Sequence, residues 1–230
     1  MTNGDGASPP VLLLHGFGTS AARTWGENGW IDILGDTGRT VIAPDLLGHG
    51  TSPKPHDPEA YTELAPRIAA ELPADGTPVD AVAFSMGARI LLTLAIDDPS
   101  RFRRLVLSGV GANLLRRGDE PGLIQKALRG EIDRTNPVAR YFAALADDPE
   151  SDPLALAALL DLHQGPLQVD DLAKVTCPAL VVIGENDFAG PGDPLVEALP
   201  DAQLVVLPRT DHFSTPKNFK FMDAALDFLA

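Results

Sequence analysis

Residues 79–92, VDAVAFSMGARILL, form the stretch that decides the fold. Its first part is a short apolar run typical of a buried strand, and its last part, rich in Ala, Leu and Ile, is typical of a helix. Only Ser85 and its immediate neighbours are left to turn the chain between the two. A serine at such a corner projects its hydroxyl above the sheet, and the small flanking residues Ala83 and Gly87 let the returning helix pass close to the strand.

Further apolar runs recur along the chain, separated by helical patterns such as those at 62–72 and 217–229. Five more strands are predicted at 11–14, 41–44, 105–107, 179–183 and 204–207. Continuous apolar strands that alternate with helices are typical of a parallel sheet covered on both faces. The pattern therefore predicts an α/β fold. In the last helix we expect Phe219, Met222, Leu226 and Leu229 to face inward.

The interval 112–170 interrupts this alternation. It carries helical patterns at 123–132, 137–146 and 154–163 but no strand pattern. We interpret it as a helical cap insertion above the carboxyl ends of the strands, where an open α/β sheet keeps its site. Its basic residues are interleaved with acidic ones, which favours a solvated face over an anion-binding surface.

Composition and charge fit one globular domain spanning residues 1–230. The chain is 44% hydrophobic and 22% charged, with a formal charge of −14. Such acidity argues against nucleic-acid and membrane partners, since both require a basic patch. The first ten residues, MTNGDGASPP, lack the features of a signal peptide, and a single cysteine, Cys177, favours a reducing compartment. We therefore expect a cytoplasmic protein.

Five segments, in this order along the chain, resemble the motifs of the α/β-hydrolase family. They are residues 15–18 (HGFG), 44–50 (PDLLGHG), 84–87 (FSMG), 184–187 (GEND) and 211–213 (DHF). The resemblance implies an α/β-hydrolase fold of the serine hydrolase, carboxylesterase-like branch. Ala83 stands where the family's nucleophile elbow has its first glycine, a mild departure because alanine is also small.

A second departure concerns the start of the sheet. The family typically has a β-hairpin before the strand that leads into the HG loop, and the ten residues before Val11 are too few and too polar to supply one. We therefore expect a sheet of about six strands, mostly or wholly parallel and flanked by helices. The strand at 41–44 would then be an edge, so it should be short, covered, or paired with a second copy in a homodimer.

Ser85 is the predicted nucleophile, and a serine hydroxyl needs a neighbouring base to become reactive. Of the five histidines, His212 lies between the last strand and the last helix, at the expected active edge, so we predict it to be the base. His15 and His49 lie in glycine-rich turns, where imidazoles more often hold loops together. His56 and His163 have no motif around them.

An imidazolium formed during attack needs an anion to orient it and offset its charge. Asp187 directly follows the fifth predicted strand and is the favoured acid, while Glu185 and Asp211 remain as alternatives. The serine, aspartate, histidine order is that of the α/β-hydrolase family.

Two backbone amides should stabilise the oxyanion of the tetrahedral intermediate. The elbow supplies the amide of Met86, and the HG loop supplies that of Phe17. The side chains of Phe17, Phe188 and Phe213 would then line the substrate pocket, the alternative being three ordinary core aromatics.

These residues predict a serine hydrolase that forms an acyl-enzyme from small to medium acyl esters, a small-molecule substrate. The sequence has no metal cluster at ligand spacing, no P-loop and no dinucleotide fingerprint, so no metal or cofactor is expected. Three alternatives remain open: hydrolysis of carbon–carbon bonds, perhydrolysis with the same triad, and non-catalytic binding of a small ligand.

Overall fold

A computed structural model of the chain describes residues 8–116, 122–131, 140, 142–144, 150–162 and 165–230. Its centre is a six-stranded sheet in which every neighbouring pair is parallel. The strands are β1 (Val11–Leu14), β2 (Val41–Ile42), β3 (Val79–Phe84), β4 (Phe102–Ser108), β5 (Ala179–Gly184) and β6 (Ala202–Leu207), in the order β2-β1-β3-β4-β5-β6. The predicted fold class is confirmed.

Burial follows position in the sheet. The inner strands β1, β3 and β5 are buried at every residue, which explains their unbroken apolar sequences. The edge strand β2 has only two residues, so the prediction of a short edge is confirmed. Pairing of this edge with a second copy of the chain stays a prediction.

Eight α-helices are described. They are α1 (Trp30–Asp36), α2 (Leu64–Ala69), α3 (Met86–Asp97), α4 (Leu123–Leu128), α5 (Pro153–Asp161), α6 (Val169–Leu172), α7 (Asp193–Ala198) and α8 (Phe219–Leu229). Shorter turns of helix lie at Ala22–Gly26, Pro58–Glu63, Pro99–Arg101, Ala112–Leu114 and Thr215–Lys217. None of the described helices is long and apolar enough to cross a membrane.

The sheet is covered on both faces, as a parallel sheet requires. Leu12 and Leu14 of β1 belong to a core shared with α2, α3 and α7. Val11 and Leu13, which point to the opposite face, belong to a second core with α1 and α8. Alternate residues of β1 therefore pack against two separate layers of helices.

The inward face of α8 differs from its sequence-based prediction. Phe219 is 79% exposed, whereas Phe221, Met222 and Leu229 are buried. The helix begins at Phe219, and the side chain of Asn218 accepts a hydrogen bond from the amide of Lys220 at its first turn. The prediction that Phe219 faces the core is wrong, because the contact with the sheet begins two residues further along the helix.

The interval 112–170 contains helices and no strand among its described residues. Its helices α4 and α5 pack on each other around a small cluster of Ala127, Leu128, Phe142, Ala143, Leu156 and Ala157, separate from the two main cores. Most of the predicted helix at 137–146, and His163, lie outside the described residues. The assignment of the interval as a cap insertion within one domain stays a prediction.

Candidate active site

The turn between β3 and α3 holds Ser85 in a conformation unusual for a serine. Its φ is 53° and its ψ is −114°, a positive-φ geometry that costs on the order of 1–3 kcal/mol for a residue with a Cβ. The amide of Ser85 donates to the carbonyl of Ser108 on β4 at 2.8 Å, which anchors the turn to the sheet. The strain is thus held in place at one residue, whose hydroxyl lies at the carboxyl edge of the sheet.

Close packing explains why the residues around Ser85 are small. A Cβ at Gly87 would lie 2.5 Å from the carbonyl oxygens of Leu14 and His15. A Cβ at Gly16 would lie 2.8 Å from the ring of Phe84 and 3.4 Å from the Cβ of Ser85. The end of β1 therefore passes directly beside the elbow, where any side chain would force the loops apart.

Three predicted residues form one hydrogen-bonded chain. The Nε2 of His212 lies 3.0 Å from the Oγ of Ser85, and its Nδ1 lies 2.8 and 3.0 Å from the two carboxylate oxygens of Asp187. When Nδ1–H donates to the carboxylate, Nε2 is left with a lone pair facing the hydroxyl. Both side chains are buried, and His212 and Asp187 lie in the loops that follow β6 and β5 respectively.

The two alternative acids have other partners. Glu185 accepts the amide of Arg209 at 2.8 Å, and Asp211 accepts the amide of Ser214 at 2.8 Å. The hydrogen bond from Ser214 lowers the pKa of Asp211 below its usual value. Asp187 is the acid of the three that is hydrogen-bonded to the imidazole, and the amide of Ala189 donates to it as well, at 2.8 Å.

The predicted oxyanion donors, the amides of Phe17 and Met86, follow residues that pack at the elbow. Phe17 follows Gly16, which packs against Ser85, and Met86 is the first residue of α3, where an N–H group has no partner inside its helix. No backbone hydrogen bond ties either amide to another described residue outside its own element. Their role as oxyanion donors stays a prediction.

His15 and His49 hold the loops beneath this site. The Nε2 of His15 accepts the amide of Leu46 at 3.0 Å, and its Nδ1 donates to the carbonyl of Gly16 at 2.8 Å. The Nδ1 of His49 donates to the carbonyl of Leu47 at 3.1 Å. Burial lowers the pKa of both imidazoles, that of His49 to about 3, so both are neutral at pH 7.

A cavity of about 420 Å³ opens above Ser85 and His212. Its apolar lining contains the predicted Phe17, Phe188 and Phe213 and adds Phe84, Ile124, Phe142, Leu160 and Pro216. Its polar lining contains Thr19, Arg23, Thr24, Glu27, Asn28 and Lys217. Sequence reasoning missed these additional residues, since nothing in their local patterns distinguishes a cavity wall from an ordinary core or surface.

A comparison of the sequence with known protein families agrees with this geometry. Residues 11–220 match the sequence model of the alpha/beta hydrolase family. The chain belongs to the α/β-hydrolase family. Within the described residues of this α/β hydrolase, no three metal-ligating side chains are grouped so that they could hold a metal ion.

Similar proteins include esterases and other hydrolases. A pimeloyl-[acyl-carrier protein] methyl ester esterase of Aeromonas hydrophila is 28% identical over 244 residues, which cover 93% of this chain and 93% of that protein. A pyrrolizixenacetamide deacetylase of Xenorhabdus hominickii is 34% identical over 112 residues, covering 46% of this chain and 39% of that protein.

Among solved structures, the 2-hydroxy-6-oxo-6-phenylhexa-2,4-dienoate hydrolase of Rhodococcus sp. strain RHA1 superimposes with a TM-score of 0.71 at 25% identity. That match covers 97% of this α/β hydrolase and 90% of the Rhodococcus chain.

Proposed function

We propose that this α/β hydrolase cleaves carboxylic esters with Ser85 as nucleophile, His212 as general base and Asp187 as the acid that orients His212. One observation carries the proposal: the continuous hydrogen-bonded chain from Asp187 through His212 to Ser85, with distances of 2.8 and 3.0 Å, at a strained elbow. A nucleophile, a base in hydrogen-bond reach and a group that orients the base are the three parts of this chemistry.

The reaction follows from these positions. The Oγ of Ser85 attacks the ester carbonyl while its proton passes to Nε2 of His212, and Asp187 stabilises the resulting imidazolium. The amides of Phe17 and Met86 hold the oxyanion. Collapse of the intermediate breaks the bond to the alcohol, which leaves with the proton from Nε2. Water then repeats the sequence on the acyl-enzyme and releases the acid.

The cavity suggests how the two parts of an ester are arranged. The leaving oxygen must lie within reach of Nε2, so the alcohol lies on the His212 side, near Phe188 and Phe213. The acyl group then lies towards Phe17 and Phe142, whose ring centroids are 5.8 Å apart. A volume of about 420 Å³ is near the lower end of the range for small-molecule pockets. It suits a small to medium acyl group with an apolar chain.

The relatives favour the same reaction class. The Aeromonas protein that aligns over nearly its whole length is by name an ester esterase. Hydrolysis of a carbon–carbon bond is the second candidate, because the Rhodococcus structure at 25% identity is by name a hydrolase of a dienoate. No observation on this chain favours perhydrolysis.

A panel of p-nitrophenyl esters from acetate to octanoate tests the proposal. We expect turnover of the acetate or butyrate ester and a loss of about 10⁴-fold or more in kcat for Ser85→Ala. Ser100→Ala is the matched control, since Ser100 precedes β4 at the opposite end of the sheet and should leave kcat unchanged. A fluorophosphonate probe should label wild type and spare Ser85→Ala.

Three outcomes would contradict the proposal. Equal turnover by wild type and Ser85→Ala would remove Ser85 as nucleophile. Saturable binding of ligands without turnover would point to a binding protein. Faster cleavage of a vinylogous diketone than of any ester would assign carbon–carbon hydrolysis to the same three residues.

A further inference from the structure

The imidazole of His212 lies against two phenylalanine rings, both tilted relative to it. The centroid of Phe84 is 4.8 Å from that of His212, with 39° between the planes, and the centroid of Phe188 is 4.2 Å away, with 36° between the planes. Phe84 directly precedes Ser85 and Phe188 directly follows Asp187. Phe84 therefore lies in the same turn as Ser85, and Phe188 lies in the same turn as Asp187.

The two rings differ in exposure. Phe84 is buried beneath the imidazole, while Phe188 is 52% exposed and lines the cavity. His212 is only 5% exposed. Because about half of the Phe188 side chain stays in water, its burial contributes little hydrophobic stabilisation to the core. Its position against the imidazole is therefore a feature of the site.

A third phenylalanine contacts His212 in a different way. Phe213 lies with its ring centroid 5.5 Å from that of His212 and its plane at 88° to it, an edge-to-face arrangement. It also touches Phe188, with centroids 5.9 Å apart, and lines the same cavity. Phe213 therefore shares the cavity and lies against the imidazole at a steeper angle than Phe84 and Phe188 do.

Nearby aromatic rings act differently on the neutral and on the protonated form of a general base. The face of an aromatic ring carries negative charge density and attracts a cation within about 6 Å of its centroid. In the proposed reaction the imidazole is neutral before attack and positively charged in the transition state. An interaction that strengthens as the charge forms raises kcat instead of tightening substrate binding.

We propose that Phe188, acting with Phe84, is a positioning residue that holds the imidazole of His212 in the plane of its hydrogen bonds and stabilises the imidazolium formed during the reaction. This inference rests on the proposed function. The titratable groups that face His212 in the described structure are Ser85, Asp187 and, from its own loop, Asp211. The phenylalanines add uncharged ring surfaces in contact with the imidazole.

The test compares Phe188→Leu with Phe188→Tyr and with the matched control Phe228→Leu, a partly buried phenylalanine near the end of α8 that does not line the cavity. Leucine keeps an apolar cover but removes the ring face, whereas tyrosine keeps the face. We expect Phe188→Leu to lower kcat about three- to tenfold with KM changed less than twofold. Phe188→Tyr should retain wild-type kcat. Phe228→Leu should leave kcat and KM within about twofold of wild type.

A pH profile supplies a readout that a merely structural role would not move. In Phe188→Leu the acid limb of kcat/KM should move about 0.5 to 1 unit towards lower pH, because the protonated base has lost a stabilising contact. The acid limb should not move in Phe188→Tyr or Phe228→Leu. Equal melting temperatures would exclude a folding defect, which is the expected result for a half-exposed position.

The outcomes separate this inference from the proposed function. Inactive wild type on every ester would overturn the proposed function itself. Active wild type, with Phe188→Leu matching Phe228→Leu in kcat and in the acid limb, would overturn the role of Phe188 alone. A loss in Phe188→Tyr as large as that in Phe188→Leu would also overturn it, because the ring face would then be irrelevant.

Discussion

Three buried histidines form two kinds of site in this structure, which differ in the groups that their rings are hydrogen-bonded to. His15, His49 and His212 are 0%, 3% and 5% exposed, so burial does not distinguish them. The hydrogen bonds of His15 and His49 go to backbone groups of the loops, whereas those of His212 go to the side chains of Asp187 and Ser85. The chemical type of the partner, and not the depth of burial, separates a loop anchor from a candidate base.

The difference has consequences for charge. Burial without a hydrogen-bonded carboxylate keeps His15 and His49 neutral, and the pKa of His49 falls to about 3. A ring that must accept and return a proton needs a nearby anion to offset its charge, which Asp187 supplies at His212. The loop histidines should therefore determine stability, and His212 should determine rate.

The largest expected effect is on catalysis. His212→Gln should lower kcat for p-nitrophenyl butyrate by about 10⁴-fold, since no group remains to take the proton from Ser85. His49→Gln, the matched control, should keep kcat within about tenfold of wild type, because in the described part of the chain that ring is hydrogen-bonded to loop backbone and packs against neighbouring rings. Comparable losses in the two variants would erase the distinction between the two sites.

A large expected effect on stability comes from His15. His15→Leu leaves the buried amide of Leu46 and the carbonyl of Gly16 without partners, which should lower the free energy of unfolding by about 2–4 kcal/mol. Urea unfolding followed by circular dichroism measures this change in the free energy of unfolding. A variant as stable as wild type would show that the loops at 15–18 and 44–50 hold their positions without this link.

The pH dependence of stability should come from the neutral loop histidines. Between about pH 6.5 and 5 the unfolded chain binds protons at histidine while buried His49, with a pKa of about 3, does not, so stability falls as the pH falls. Each such histidine contributes a slope of up to about 1.4 kcal/mol per pH unit. Unfolding midpoints at several pH values should show a shallower slope in His49→Gln, and an unchanged slope would contradict the assignment.

The smallest expected effect belongs to an exposed histidine. His56 pairs with Asp152 at 3.0 Å, and its side chain is 55% exposed, so His56→Ala should cost less than about 1 kcal/mol and leave kcat unchanged. Asp152 also accepts the amides of Leu154 and Ala155 at the start of α5, so Asp152→Ala should cost more, about 1 kcal/mol. Equal effects on stability would mean that the ion pair, and not the helix cap, is what Asp152 contributes.

Local sequence patterns predicted those features that depend on neighbours along the chain. The apolar runs predicted six strands because a strand buried on both faces needs an apolar residue at every position. The small residue at Gly87 predicted a tight elbow because its backbone neighbours lie 2.5 Å from where a Cβ would be. Phe219 shows the limit of prediction from local patterns. Helical spacing predicts which residues of α8 share a face, but not where along the helix that face begins to contact the sheet.

The sequence by itself determined the family, the parallel α/β sheet and the order in which a serine, an aspartate and a histidine occur along the chain. Only the tertiary structure decided that Asp187 and not Glu185 or Asp211 is hydrogen-bonded to His212, and that the rings of Phe84 and Phe188 lie against that imidazole. Strand and turn signals are local, whereas these contacts join loops that follow different strands. Their geometry depends on how parallel strands bring distant carboxyl ends to one edge.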